Sequence, residues 1–342
     1  MLETIWFVVW GLLWAIYFTL DGFDLGMGTL LPFLARNDEE KRVIYNAAGP
    51  YWDGNEVWLI TAGGVTFAAF PKAYAVMFSA LYAPLLILLF ALIFRAVSFE
   101  FRNKRTDAGW KKLWDTCQFL GSALPAVLFG VAFANLFMGI PIDGEGVYHG
   151  NILKLLNPYG LAGGVFFLVI FCTHGALWLS LKSEGAIRER AVRAACGLWP
   201  ALLVLSVAFL ALTASFTRLY DNYLAHPALL IFPILAVTAL LTMRAMLAGA
   251  NCLGAWLCSA LFIISVTFFG VLGMFPGIIL SSLDPAYSIT VLNGASSPLT
   301  LKIMLGVALV CVPVVICYQA WVFYTFAHRV TPESISRDDH AY

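Results

Sequence analysis

The chain has little charge. Asp, Glu, Lys and Arg make up 12% of its 342 residues, where a water-soluble globular chain carries about a quarter. The net charge is zero, so no basic surface is on offer to nucleic acid. Histidine is scarce too. Of the five, at positions 149, 174, 226, 328 and 340, only His174 lies inside a long apolar run. A bis-histidine haem needs a pair of such ligands, so the sequence specifies no haem site of its own. The seven cysteines contain no C-x-x-C pair. That excludes a zinc site or disulfide framework and leaves them as small hydrophobes, with no metal site. No Walker loop, dinucleotide fingerprint or nucleophile elbow occurs. The opening Met1-Leu2-Glu3 lacks a basic leader, so the first apolar run reads as a span and not as a cleaved signal.

Hydrophobicity is abundant instead. Apolar residues reach 61% and mean hydropathy is +0.85. A water-facing fold cannot hide that much apolar surface, so the chain reads as a polytopic membrane protein. Crossing about 30 Å of hydrocarbon takes about 20 helical residues. Nine runs qualify: 5–30, 51–70, 75–96, 115–138, 160–181, 192–217, 227–247, 252–275 and 301–327. Prolines 50, 71, 141, 158, 227, 276 and 298 mark most of the boundaries. The expected fold is all-α, with nine transmembrane helices forming two four-helix bundles plus one peripheral helix. Residues 1–138 supply helices 1–4, 160–275 helices 5–8, 301–327 helix 9 and 328–342 a tail, all in one membrane unit over 1–342.

Nine spans alternate the loops between two sides. Of the 20 basic residues, Lys72, Lys154, Arg218 and Lys302 fall on one side and the other sixteen, from Arg36 to Arg337, on the opposite one. The positive-inside rule then puts the N-terminus outside and the C-terminus in the cytoplasm.

Against this background the acids stand out. The segment "YWDGNEVWLITAGG" puts Asp53 and Glu56 in the first turns of the second span. Gly49 would cap that helix and Pro50 would open it, so its dipole would favour Asp53 by about 0.3–1 kcal/mol. In "TLDGFDLGMG", Asp21 and Asp24 share a helix face, and Gly22 and Gly26 permit close helix approach. A carboxylate at depth costs about 2.5–3.5 kcal/mol, and those that stay there usually mark ion or proton paths. Glu100 sits between Arg95 and Arg102 and by itself reads as an interfacial ion-pair cluster. His174 by itself reads as a hydrogen-bonded packing residue. These residues fit a proton path in a respiratory complex, a proton-coupled transporter or a structural membrane subunit alike.

The motifs "DGFDLGMG", "RNDEEKR", "YWDGNEVWLITAGG", "FRAVSFEFR", "LLNPYGLAGG" and the terminal "RDDHAY" together resemble subunit II of the cytochrome bd-type quinol oxidases, nearly end to end. The segment Thr217 to His226 is compact for that family. The resemblance implies a subunit of an electrogenic complex in the bacterial or archaeal cell membrane. That complex oxidises quinol outside and reduces dioxygen to water with cytoplasmic protons. Two haems b and one haem d would be held chiefly by subunit I, against which this chain packs amid membrane lipid and, in some members, small single-helix accessory subunits. By resemblance, Asp24, Asp53, Glu100 and the final residue Tyr342 form a proton path. Trp58 lines an oxygen route, and Trp52 and Asn55 face subunit I near the haems.

Overall fold

The computed structural model describes residues 1–336 and 342. Arg337, and with it most of the "RDDHAY" motif, lies outside the described residues. The helices are α1 (Leu2–Leu34), α2 (Asp38–Ala48), α3 (Trp52–Ala69), α4 (Pro71–Ala80), α5 (Tyr82–Phe101), α6 (Ala108–Met138), α7 (Ile152–Leu155), α8 (Pro158–Lys182), α9 (Gly185–Phe216), α10 (Leu219–Ala225), α11 (Ile231–Ala248), α12 (Cys252–Met274), α13 (Pro298–Thr325) and α14 (Pro332–Ser336). A small antiparallel pair, β1 (Gly277–Ile279) and β2 (Ile289–Thr290), joins α12 to α13.

Among the described residues, eight helices are long and apolar enough to cross a membrane: α1, α5, α6, α8, α9, α11, α12 and α13. The expected span 51–70 is α3, whose polar first turns lower its apolar content. It nevertheless lies antiparallel along α1. Trp10 Nε1 donates to Thr66 Oγ1 at 2.9 Å toward one end, and Asn55 Nδ2 donates to Asp24 Oδ2 at 2.7 Å toward the other. Eighteen residues rise about 27 Å, close to the hydrocarbon thickness.

Two local expectations need correction. Gly49 and Pro50 do not open α3: Gly49 closes α2, its N–H bonding Tyr45 O at 2.8 Å. The "RNDEEKR" segment behind it belongs to a helix, started by Asn37, whose side chain accepts from Glu40 N at 2.8 Å. The expected span 75–96 is two elements. Pro71 fits the first turn of a helix, where its missing N–H costs nothing, so α4 starts there. The chain then bends at Leu81 (φ −100°, ψ 17°) before α5 begins.

Glycine decides where the helices meet. A Cβ on Gly26 would lie 1.8 Å from Phe171 O, and one on Gly175 would lie 2.5 Å from Met27 N. The α1–α8 crossing is therefore backbone on backbone. Gly130 of α6 and Gly163 of α8 meet in the same way, each Cβ falling within 2.6 Å of the other's carbonyl oxygen. Small residues serve this purpose where lipid offers no hydrophobic drive to association. Around these crossings Trp14, Phe18, Phe129, Phe133 and Phe167 pack edge to face, with centroids 5.1–6.2 Å apart, and Phe133 stacks on Phe167 at 6.3 Å. One continuous core joins the first and second halves through α1, α6 and α8. By contrast, α13 is almost wholly exposed in the isolated chain, with Leu301 its buried residue. The compact segment before α11 has a local purpose. Within it, Asn222 Nδ2 caps α12, reaching Leu272 O and Gly273 O at 3.1 Å each, and also Phe275 O.

Candidate functional site: a buried acid cluster on α1, α3 and α5

α1, α3 and α5 converge on a group of polar side chains. Asp24 of α1 is 2% exposed, and its Oδ2 accepts from Asn55 Nδ2 at 2.7 Å. The same amide reaches Leu20 O at 3.2 Å. One turn deeper, Asp21 is fully buried and pairs with Arg95 Nη2 at 2.7 Å. That guanidinium nitrogen also holds Glu56 Oε1 at 2.5 Å. Thus one cation from α5 ties α1 to α3. Removing one partner of such a buried group typically costs about 3–5 kcal/mol, because the remaining charge is left uncompensated. Several buried atoms here have no protein partner among the described residues: Asp24 Oδ1, Asn55 Oδ1, Asp21 Oδ2, Tyr17 Oη, Trp14 Nε1, and Arg95 Nε and Nη1.

A second group lies around Tyr342, at the end of α5 and the start of α3. Its backbone is clamped by α2: Asn46 Nδ2 donates to Tyr342 O at 2.7 Å, Arg42 Nε donates to the same oxygen at 3.1 Å, and Tyr342 N donates to Asn46 Oδ1 at 2.9 Å. Its ring meets Phe99 edge-on at 5.5 Å, and Phe99 stacks on Trp52 at 5.2 Å and 7°. Burial pushes the phenol above its ordinary pKa. Trp52 acts against that shift, and the Glu100 and Asp53 carboxylates add to it. Tyr342, Glu100, Asp53 and Trp52 are therefore neighbours. The glycine of the α2–α3 turn makes room for them: a Cβ on Gly49 would fall 2.6 Å from the Tyr342 ring.

The structure brings Asp24 to Asn55, and Asp53 and Glu100 to Tyr342. It does not join the two groups directly, because Asp53 and Asn55 are two residues apart and point about 200° apart around α3. Asp53 and Glu100 are exposed in the isolated chain. Asn55, expected to face a partner, is turned inward at 1% exposure, and Trp52 is 8% exposed. Glu100 pairs with neither flanking arginine. Arg95 goes to Asp21 and Glu56, and Arg102 to Asp38 at 2.6 Å and Asp115 at 2.7 Å. Trp58 is buried between α3 and α13, donating to Gln319 Oε1 at 2.9 Å. The large apolar groove of about 690 Å³ lies on another side of α3, walled by Leu59, Ile60, Gly63 and Phe67 with Trp10 and Trp14 of α1. Sequence reasoning missed the pairing of Asp21 and Glu56 with Arg95. The available signal was the depth of Arg95, six residues inside the end of an apolar helix.

Among the described residues, no pair of histidines is placed to hold a haem. His174 has both ring nitrogens engaged, Nδ1 with Ser259 Oγ at 2.5 Å and Nε2 with Thr19 O at 2.9 Å, and its ring stacks on Trp256. His149 pairs with Asp143 at 2.6 Å on an exposed loop, and His226 and His328 are exposed. No group of three His, Cys, Asp or Glu could hold a metal ion among the described residues.

Comparison with known proteins gives the family. The family model for cytochrome bd terminal oxidase subunit II matches residues 2–326. Cytochrome bd ubiquinol oxidase subunit 2 of Bacillus subtilis is 36% identical, covering 96% of this chain and 97% of its own. Cytochrome bd-I ubiquinol oxidase subunit 2 of Escherichia coli K12 is 34% identical, covering 100% and 98%. A chain of the bd oxidase from Geobacillus thermodenitrificans shares the fold, with a TM-score of 0.79 at 16% identity over 95% of this chain and 98% of that one. With a family model over nearly the whole chain and relatives aligned along almost their full lengths, the chain belongs to the family of cytochrome bd terminal oxidase subunit II, the subunit that partners subunit I in a membrane quinol oxidase.

Proposed function

We propose that this chain delivers cytoplasmic protons to a haem-bearing subunit I, where quinol is oxidised and dioxygen is reduced to water. The haems, two of b type and one of d type, supply electron transfer and oxygen reduction in that partner. The observation that carries the reading is the pairing of two acid groups on α1, α3 and α5. Tyr342, Glu100 and Asp53 lie at the end rich in Lys and Arg, and Asp24 with Asn55 lies further in. On the positive-inside rule that end is cytoplasmic, with the N-terminus outside. Reducing one dioxygen to two waters takes four electrons and four protons, and the protons must cross a water-poor interior by groups that gain and lose them. Glu100, Asp53 and Tyr342 collect protons at the surface, and Asp24 accepts them at depth. Asn55 orients the Asp24 carboxyl.

The face that meets subunit I follows from exposure. Val57 (47%) and Ile60 (74%) are exposed on the face of α3 that carries Asp53, and Phe90 (52%), Phe94 (51%) and Glu100 are exposed on α5. Carboxylates facing lipid are costly, whereas a partner subunit covers them. Trp58, which the family resemblance puts on an oxygen route, also braces α3 against α13 through Gln319. The test is purification of the complex with Asp53→Asn or Glu100→Gln. Unchanged b- and d-type haem bands with slowed quinol turnover support the reading. Full turnover in both variants and in their double refutes it.

A further inference from the structure

We propose that the cytoplasmic end of the seam between α9 and α11 binds an anionic phospholipid of the surrounding bilayer. Arg244 and Arg193 hold its phosphate, and one acyl chain lies in the apolar groove below them.

α9 packs chiefly on α8, and α11 on α12 and α9, whereas α3 and α5 pack on α1, α4 and α6. The seam is therefore built on a different set of helices from the surface assigned above to subunit I. Val204, Val207, Ile234 and Leu241 are exposed along it, as on a wall that faces lipid. Over residues 192–216 and Ile231–Ala248 the only charged side chains are Arg193 and Arg244. The positive-inside rule puts both at the cytoplasmic end.

Arg244 lies four residues before the end of α11, about 6 Å into the span. An arginine there ordinarily extends its guanidinium to the water. This one turns across the seam instead. Its Cζ lies 5.9 Å from the centre of the Trp199 ring, and its Nη1 donates to Cys196 Sγ at 3.8 Å. Trp199 is itself fixed, because its Nε1 donates to Leu240 O at 2.8 Å. Arg193 precedes Cys196 by three residues, and side chains so spaced are neighbours on a helix, with Cβ atoms about 5–6 Å apart. Cys196 thus has one guanidinium against it and a second arginine one turn nearer the cytoplasm. Among the described residues neither arginine has a carboxylate within 4 Å, although Glu189 stands one turn before Arg193. Arg190, by contrast, pairs with Glu40, and Arg329 with Glu184. A thiol is a weak acceptor, and the other N–H donors of Arg244 have no protein partner among the described residues. Guanidinium groups bind phosphate oxygens in pairs, and basic pockets between helices on the cytoplasmic side take lipid headgroups.

The apolar half of the site continues from Arg244 into the membrane. Leu240, Val237 and Pro233 share a face of α11 with Arg244, at spacings of four, three and four residues. With Ser206 and Leu210 of α9 they line a groove of about 50 Å³. Val237 on its wall is exposed, so the groove reaches the lipid. The Ser206 hydroxyl is spent on Leu202 O at 2.7 Å, so the wall is apolar to a passing acyl chain. Positive charge at the membrane surface, with an apolar groove on the same line beneath it, matches a phospholipid and not a free phosphate ion.

The experiment titrates the purified, delipidated complex with phosphatidylglycerol and counts bound lipid by native mass spectrometry. Arg193→Gln/Arg244→Gln should hold one phosphatidylglycerol fewer than wild type at the same lipid concentration. It should recover that lipid only at about tenfold or more higher concentration. Phosphatidylcholine with the same chains should not fill the place in wild type, and inorganic phosphate should not empty it. Quinol turnover should be the same in both proteins. Undiminished phosphatidylglycerol binding in the assembled double variant overturns the proposal. So does equal filling by phosphatidylcholine, or displacement by inorganic phosphate. If the double variant does not assemble, Cys196→Asp decides. It sets a carboxylate against Arg244 Nη1 with both arginines kept, and it should lose the same one lipid. Wild-type lipid binding in Cys196→Asp overturns the proposal too.

Discussion

Replacing Asp24 by Asn separates the two duties of that side chain. In the folded chain its Oδ2 accepts one hydrogen bond from Asn55 Nδ2 at 2.7 Å, and its buried Oδ1 has no partner among the described residues. The same holds for Asn55 Oδ1. The amide of Asp24→Asn keeps the acceptor and gains a donor that suits Asn55 Oδ1. A typical hydrogen bond is worth about 0.5–1.5 kcal/mol net, so the change in stability should stay within about 1 kcal/mol. Proton exchange, however, is abolished. A tenfold fall in turnover corresponds to about 1.4 kcal/mol on the barrier, and the variant should lose at least about that much. Asn55→Leu makes the opposite cut. It keeps the carboxyl but removes its donor, leaving a buried polar group unsatisfied at a cost of about 1–3 kcal/mol. That variant should melt lower and retain part of its turnover. The assay is oxygen consumption with quinol, normalised to haem in the purified complex, beside a thermal melt. Wild-type turnover in fully assembled Asp24→Asn would refute the assignment of Asp24 to the proton path.

Gly26→Ala should abolish assembly or destabilise by about 1–3 kcal/mol or more, because its Cβ would fall 1.8 Å from the Phe171 carbonyl oxygen and force α1 off α8; Gly197→Ala, where a Cβ meets nothing within 4 Å, should melt like wild type in the same assay. Acid should weaken the contact between α2 and α9. Burial alone would raise the pKa of Glu40, but hydrogen bonds from Arg190 and the Arg36 N–H outweigh it and hold the carboxyl below the ordinary 4.5. A depressed folded pKa gives stability that is present above the unfolded value and lost as pH falls through the folded one. Melting should therefore drop below pH 4.5, and Glu40→Gln should flatten that drop; a melting profile with the same acid limb in both proteins would show that the Glu40–Arg190 pair is not its source.

Most of the helices were legible in the sequence because membrane spans announce themselves. Low charge and long apolar runs located α1, α6, α8, α9, α11, α12 and α13 to within a few residues, or seven at the start of α6 and α9. The physical cause is local: in hydrocarbon each backbone N–H must bond within its own segment. Where local chemistry was ambiguous, the boundaries slipped. Pro71 opens a short helix before α5, and Gly49 closes α2 when it could equally have capped α3. The DGFD and WDGNEVW motifs pointed to the acids but not to their partners. Asp21 and Asp24 share one helix face, yet one meets an arginine from α5 and the other an amide from α3. Which acid is ion-paired and which is left to exchange is a matter of the register between α1, α3 and α5. Part of that register is set where α1 meets α8 at Gly26 and Gly175, and where α6 meets α5 at Gly121, whose Cβ would lie 2.6 Å from Ala91 O. Charge pairing in an interior depends on distances of a few ångströms between separate helices. Only the packed structure fixes those distances.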